Sequence, residues 1–60
     1  MANNESQKRQ LKAQMKRISD VIGGLEETLA GSPNDRSARE ELRRQKQLLQ
    51  GVTDELNNLE

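Results

Sequence analysis

Two runs of apolar residues follow a heptad spacing and mirror each other about one point of the chain. The first run steps by four and three residues through Leu11, Met15, Ile18, Ile22, Leu25 and Leu29. The second run steps in the same way through Ala38, Leu42, Gln45, Leu49, Val52, Leu56 and Leu59. Residues at this spacing form one stripe of a helix and are typical of a coiled-coil seam, the a and d positions of the heptad.

A turn signal separates the two runs, because residues 31–37 read Gly-Ser-Pro-Asn-Asp-Arg-Ser. Folding the chain there places Leu11 opposite Leu56 and Leu25 opposite Leu42. We therefore predict an all-α protein, an antiparallel two-helix hairpin (coiled coil) over residues 8–60. The predicted bounds are a frayed polar N-terminus at 1–7, a helix at 8–30, a turn at 31–36 and a helix at 37–58.

The turn residues also predict how each helix ends and begins. Gly31 follows the last seam residue of the first helix, where a glycine in the left-handed conformation commonly ends a helix. Ser32, followed by Pro33, is a candidate N-cap of the second helix, and Ser37 is another. These two caps differ by about one helical turn.

The supply of apolar residues is small for a protein that folds alone. Only 30% of the 60 residues are apolar and none is aromatic. A two-helix hairpin buries only one stripe of each helix, so the seam side chains themselves stay partly exposed to water. We expect the hairpin to complete a four-helix bundle, either by dimerisation or by docking on a partner.

Two apolar residues beside the seam suggest where such a contact would form. Val21 and Leu48 occupy heptad g positions, which face each other in an antiparallel pair. They widen the apolar stripe at the middle of the hairpin, although they could also simply fold over the seam. The predicted interface comprises Ile18, Val21, Ile22, Leu25, Gln45, Leu48, Leu49 and Val52.

Gln45 is a polar residue in this seam, opposite Ile22. A polar seam residue can set the register and the oligomeric state at some cost in stability. Alternatively, its amide simply reaches water. Both interpretations stay open at the level of sequence.

Basic residues concentrate at the e and b positions, on the other side of the seam. Lys plus Arg is 10 and Asp plus Glu is 10, so the protein has no overall charge that attracts an anionic partner. A local stripe can still bind phosphates, RNA or an acidic protein. The alternative is a solvated face in which Glu26 pairs with Arg39. The candidate anion-binding residues are Arg9, Lys12, Lys16, Arg36, Arg39, Arg43 and Lys46.

The residues of most catalytic and metal sites are missing from the composition. The chain has no His and no Cys, and its adjacent carboxylates point in different directions on a helix. We predict no enzyme activity, no catalytic or metal site and no cofactor. No apolar run is long enough to span a membrane, and we expect a cytoplasmic protein.

The segment from Met15 onward resembles the first two helices of the N-terminal regulatory domain of endosomal syntaxins. The resemblance rests on Ile18, Thr28-Leu29, the turn Gly31-Ser32-Pro33-Asn34-Asp35, and the Arg/Gln-rich stretch from Arg39 to Gln47. Gly23-Gly24 departs from that pattern. The hairpin is also similar to Rho-effector hairpins, which bind small GTPases, and to small bacterial secretion chaperones. These resemblances imply a helical hairpin that binds another protein.

The sequence thus favours a non-enzymatic protein-interaction or assembly module. Its expected partner is a second copy of itself or another helical protein, and nucleic acid is the less favoured partner. The alternative is a small anion- or RNA-binding hairpin that acts through the basic stripe. The absence of aromatic residues weighs against RNA, because single-stranded nucleic acid is commonly bound by stacking on aromatic rings.

Overall fold

The computed structural model describes residues 4–59 and contains two packed α-helices. Helix α1 spans Asn4–Gly31 and helix α2 spans Arg36–Leu59. They are antiparallel, since Leu11 near the start of α1 and Leu59 at the end of α2 line the same groove. The rod measures 49 × 14 × 12 Å, close to the length of one 28-residue helix at about 1.5 Å per residue. The predicted all-α, two-helix hairpin is confirmed.

Burial along α1 follows the predicted heptad. The half-buried residues of α1 are the seam positions Lys8, Leu11, Met15, Ile18, Ile22, Leu25 and Leu29. All other described residues of α1 are exposed. Lys8 extends the seam by one position toward the N-terminus, where its alkyl stem can cover apolar surface while the ammonium stays in water.

Helix α2 carries the buried core of the described chain. Ala38, Val52 and Leu56 are only 6–8% exposed, and the other seam residues of α2 are half-buried. Because all three buried residues occupy predicted seam positions, the stripe read from the sequence is the stripe that α2 buries. No described residue of α1 reaches the same burial.

The helix bounds differ from the predicted ones at both ends of α1. The helix begins at Asn4, four residues before the predicted start. The prediction of a frayed segment is therefore wrong for residues 4–7, and residues 1–3 lie outside the described part. Glu5 lies in the first turn of α1, where a carboxylate stabilises the positive end of the helix dipole. The remaining bounds shift by one residue each.

Pro33 ends α1, in place of the predicted left-handed glycine. The Ser32 N–H donates to the Thr28 carbonyl at 2.9 Å, which is the last helical hydrogen bond. Proline has no N–H and disfavours the helical conformation of the residue before it. No described residue has a positive φ, so the prediction for Gly31 is wrong.

Asp35 caps α2, in place of the predicted Ser32 or Ser37. Its Oδ1 accepts a hydrogen bond from the Ala38 N–H at 3.1 Å. Its carbonyl accepts the first intrahelical bond, from the Arg39 N–H, at 3.1 Å. These two bonds define an N-cap residue. The Asp35 N–H also donates to the Ser32 carbonyl at 3.1 Å, which closes the turn between the helices.

Candidate functional site: the two flanks of the hairpin

The first candidate site is the predicted interface, called here the apolar flank. Most of its side chains belong to the seam and are half-buried or buried, but Val21 and Leu48 are 42% and 49% exposed. Within residues 4–59 these two are the large apolar side chains that remain exposed. The apolar flank consists of Ile18, Val21, Ile22, Leu25, Gln45, Leu48, Leu49 and Val52.

Polar residues border the apolar flank toward the open end of the hairpin, where the chain termini lie. A shallow groove of about 400 Å³ at that end is lined by Gln7, Gln10, Leu11, Gln14, Glu55, Asn58 and Leu59. Gln14 and Glu55 occupy the g positions one heptad from Val21 and Leu48, respectively. Their joint presence in one groove agrees with the predicted pairing of g positions across the seam.

Gln45 is the polar member of the apolar flank, and its hydrogen bond stays within its own helix. Its Nε2 donates to Glu41 Oε2 at 2.9 Å, and the amide is part-buried. The other Glu41 oxygen pairs with Arg44 Nη1 at 3.1 Å. The Gln45 amide therefore has a partner without a bond across the seam.

The second candidate site, called here the basic flank, consists of Arg9, Lys12, Lys16, Arg36, Arg39, Arg43 and Lys46. All seven side chains are exposed. Among the described residues the ion pair within 4 Å is Arg44–Glu41, which lies outside this set. The predicted pair of Glu26 with Arg39 is not formed. The charges of the basic flank are therefore available to a partner.

A groove on the basic flank has an apolar floor that the sequence analysis missed. Its volume is about 490 Å³ and its lining residues are Leu29, Arg39, Leu42, Arg43, Lys46, Gln47 and Gln50. Both leucines are half-buried seam residues, whereas the basic side chains are exposed. The available signal was Ala38, a small seam residue predicted to lie opposite Leu29.

The grooves place six of the seven residues of the basic flank in two groups, and Lys16 lines neither. Near the turn, a second shallow groove of about 520 Å³ is lined by Arg36, Arg39, Glu40 and Arg43, and it shares two arginines with the leucine-floored groove. At the open end, a smaller groove of about 220 Å³ is lined by Glu5, Lys8, Arg9 and Lys12. The largest concentration of basic residues is thus on α2.

Comparison with known proteins adds no relative. The sequence matches no protein-family model, no curated protein and no solved structure. Over residues 4–59, no group of three or more acidic, His or Cys side chains is placed to hold a metal ion. Neither helix, within the same residues, combines the length and apolarity needed to cross a bilayer.

Proposed function

We propose that this protein is a non-enzymatic interaction module that assembles with a second copy of itself, or packs on a partner helix, through the apolar flank. The observation that carries the proposal is the exposure of Val21 and Leu48 beside a seam that is itself half-buried. Burying the exposed part of these two side chains would contribute about 1 kcal/mol each. The four-helix bundle is the simplest arrangement that achieves this burial.

The total exposed surface supports the same proposal. The protein exposes 4793 Å², whereas a compact monomer of 6.8 kDa is expected to expose about 4,000 Å². The excess follows from the elongated shape of 49 × 14 × 12 Å, because within residues 4–59 each helix packs on only one other helix. Packing of a further helix on the apolar flank would reduce this exposed surface.

The test is solution mass measured over a concentration series, with helicity recorded on the same samples. We expect mass and helicity to rise together, because assembly stabilises the folded chain by mass action. Val21→Glu and Leu48→Glu each place a charge in the proposed contact and should shift the association midpoint to at least about tenfold higher concentration.

Ala13→Glu is the matched control, since it adds the same charge at an exposed outer position of α1. It should leave the association midpoint unchanged. A wild-type chain that stays monomeric and fully helical would contradict self-association. The proposal as a whole is wrong if, in addition, helical partners bind the Val21→Glu and Leu48→Glu variants as tightly as they bind wild type. Association that survives both substitutions would place the contact elsewhere.

A further inference from the structure

The leucine-floored groove lies on the flank opposite Val21 and Leu48, and the proposed assembly does not use its rim. Its floor is formed by Leu29 and Leu42, which come from different helices. Its rim carries Arg39, Arg43 and Lys46, all exposed. Half-buried apolar side chains beside a row of cations set two chemical requirements for a ligand.

The spacing of the cations describes the first requirement. Arg36, Arg39, Arg43 and Lys46 follow one another at three, four and three residues, so one positive charge recurs at each turn of α2. A ligand with a single carboxylate or phosphate would need these cations to converge on one point. A row at one-turn intervals instead matches a ligand whose negative groups repeat at the same interval, as Glu and Asp do along one face of a helix.

The apolar floor describes the second requirement. The two leucines are half-buried, whereas the basic side chains beside them are exposed, so a bilayer surface would contact the cations more readily than the leucines. Nucleic acid would place charge over the leucines, and the chain has no aromatic residue on which a base can stack. A ridge of apolar side chains on a partner helix can enter the groove while flanking carboxylates meet its rim.

From these two features we infer that the groove between Leu29 and Leu42 binds an acidic amphipathic helix of another protein. Arg39, Arg43 and Lys46 pair with carboxylates of that helix, and the leucines receive its apolar ridge. The cations form no ion pair within the described chain, so binding need not break an existing one. This inference does not rest on self-association, because the two contacts use opposite flanks.

The experiment uses the full chain and a fluorescent peptide of about 20 residues with a Leu stripe flanked by Glu residues. Binding is followed by anisotropy at about 0.15 M salt. We expect saturable binding that also raises peptide helicity. The same peptide with Gln in place of Glu should bind at least about tenfold more weakly, because it keeps the shape and loses the charge.

Charge reversal locates the contact. Arg39→Glu combined with Arg43→Glu should weaken peptide binding by about tenfold or more. The matched control, Arg9→Glu combined with Lys12→Glu, changes the chain charge equally at the open end of the basic flank and should weaken binding much less. A peptide with Lys in place of Glu should bind the Arg39/Arg43 double variant better than it binds wild type.

Several outcomes would overturn the inference. Equal losses in the two double variants would mean diffuse attraction and no groove contact. Tighter binding to single-stranded RNA, to phosphatidylserine vesicles or to inorganic phosphate than to the Glu peptide would identify a different ligand class. Peptide binding that is lost in Val21→Glu while helicity is retained would place the site on the apolar flank. That result would leave self-association to be judged by its own mass measurements.

Discussion

The apolar flank and the basic flank border the same seam, yet they make different surfaces available. On the apolar flank the exposed groups are apolar side chains, since Val21 and Leu48 are 42% and 49% exposed. On the basic flank the exposed groups are charged side chains, and the apolar side chains of Leu29 and Leu42 are half-buried. One flank thus exposes apolar side chains, and the other exposes cations beside half-buried leucines.

The fold depends on the residues of the seam and much less on the exposed residues of the two flanks. The hairpin needs apolar residues at the seam and a cap at Asp35, and it gains little from its exposed charges. The Arg44–Glu41 pair is an example, because its side chains are 67% and 39% exposed and such surface pairs contribute about 0–1 kcal/mol. The flank residues are therefore free to serve contacts with other molecules.

The largest effect is expected from a substitution that disrupts the seam, because the seam supports both flanks. Val52→Asp places a charge at the most buried apolar side chain. A buried, unpaired carboxylate should cost about 3 kcal/mol or more, and a hairpin with so small a core has little stability to lose. We expect far-UV circular dichroism to show loss of helicity, together with loss of self-association and of peptide binding.

Asn57→Asp is the control for that substitution, because it introduces the same carboxylate at an exposed position of α2. It should retain the helicity of wild type. If Val52→Asp also kept its helicity, the buried seam would not be the main source of stability, and the assignment of the two flanks would lose its basis.

A second test changes the apolar flank alone. Gln45→Leu adds apolar surface at a half-buried seam position and should stabilise the hairpin by about 1 kcal/mol. Because the Gln45 amide bonds to Glu41 in its own helix, we expect tighter self-association with unchanged stoichiometry. Thermal unfolding and mass measurements check both points, and Gln47→Leu, at an exposed outer position, is the control. A mixture of oligomers would show instead that Gln45 sets the oligomeric state.

The seam could be predicted from the sequence because burial depends on a long repeat. Many positions of the repeat indicate the same seam, so one atypical residue does not change the prediction. Even Gln45 and Ala38 did not obscure the seam. The ends of the elements have no such redundancy. Three residues near the start of α2, Ser32, Asp35 and Ser37, each have a side-chain oxygen suited to a helix cap. Of these, Asp35 forms the cap, through its Oδ1 and the Ala38 N–H.

The two candidate sites differ in the same way. The exposure of Val21 and Leu48 follows from their g positions, which the heptad specifies directly. The leucine-floored groove depends on how far neighbouring side chains extend over Leu29 and Leu42, and heptad spacing carries no information on that. The sequence therefore predicted the basic residues of the groove but not its apolar floor.

The last test compares two neighbouring glycines that border different flanks. By the heptad, Gly23 occupies a b position next to the basic flank and Gly24 occupies a c position next to the apolar flank. A methyl group at either would meet no atom within 4 Å, and neither has a positive φ. Gly23→Ala and Gly24→Ala should each stabilise the hairpin by about 0.8–1 kcal/mol, raising the melting temperature by roughly 4–8 °C.

The effect of these substitutions on self-association should depend on the flank. If a second hairpin approaches closely beside Val21, the methyl group of Gly24→Ala lies in its path and weakens association, although the single hairpin becomes more stable. Gly23→Ala borders the other flank and should leave the contact intact. Equal strengthening of association by both would show that the partner makes no close backbone approach near Gly24 and touches only the tips of Val21 and Leu48.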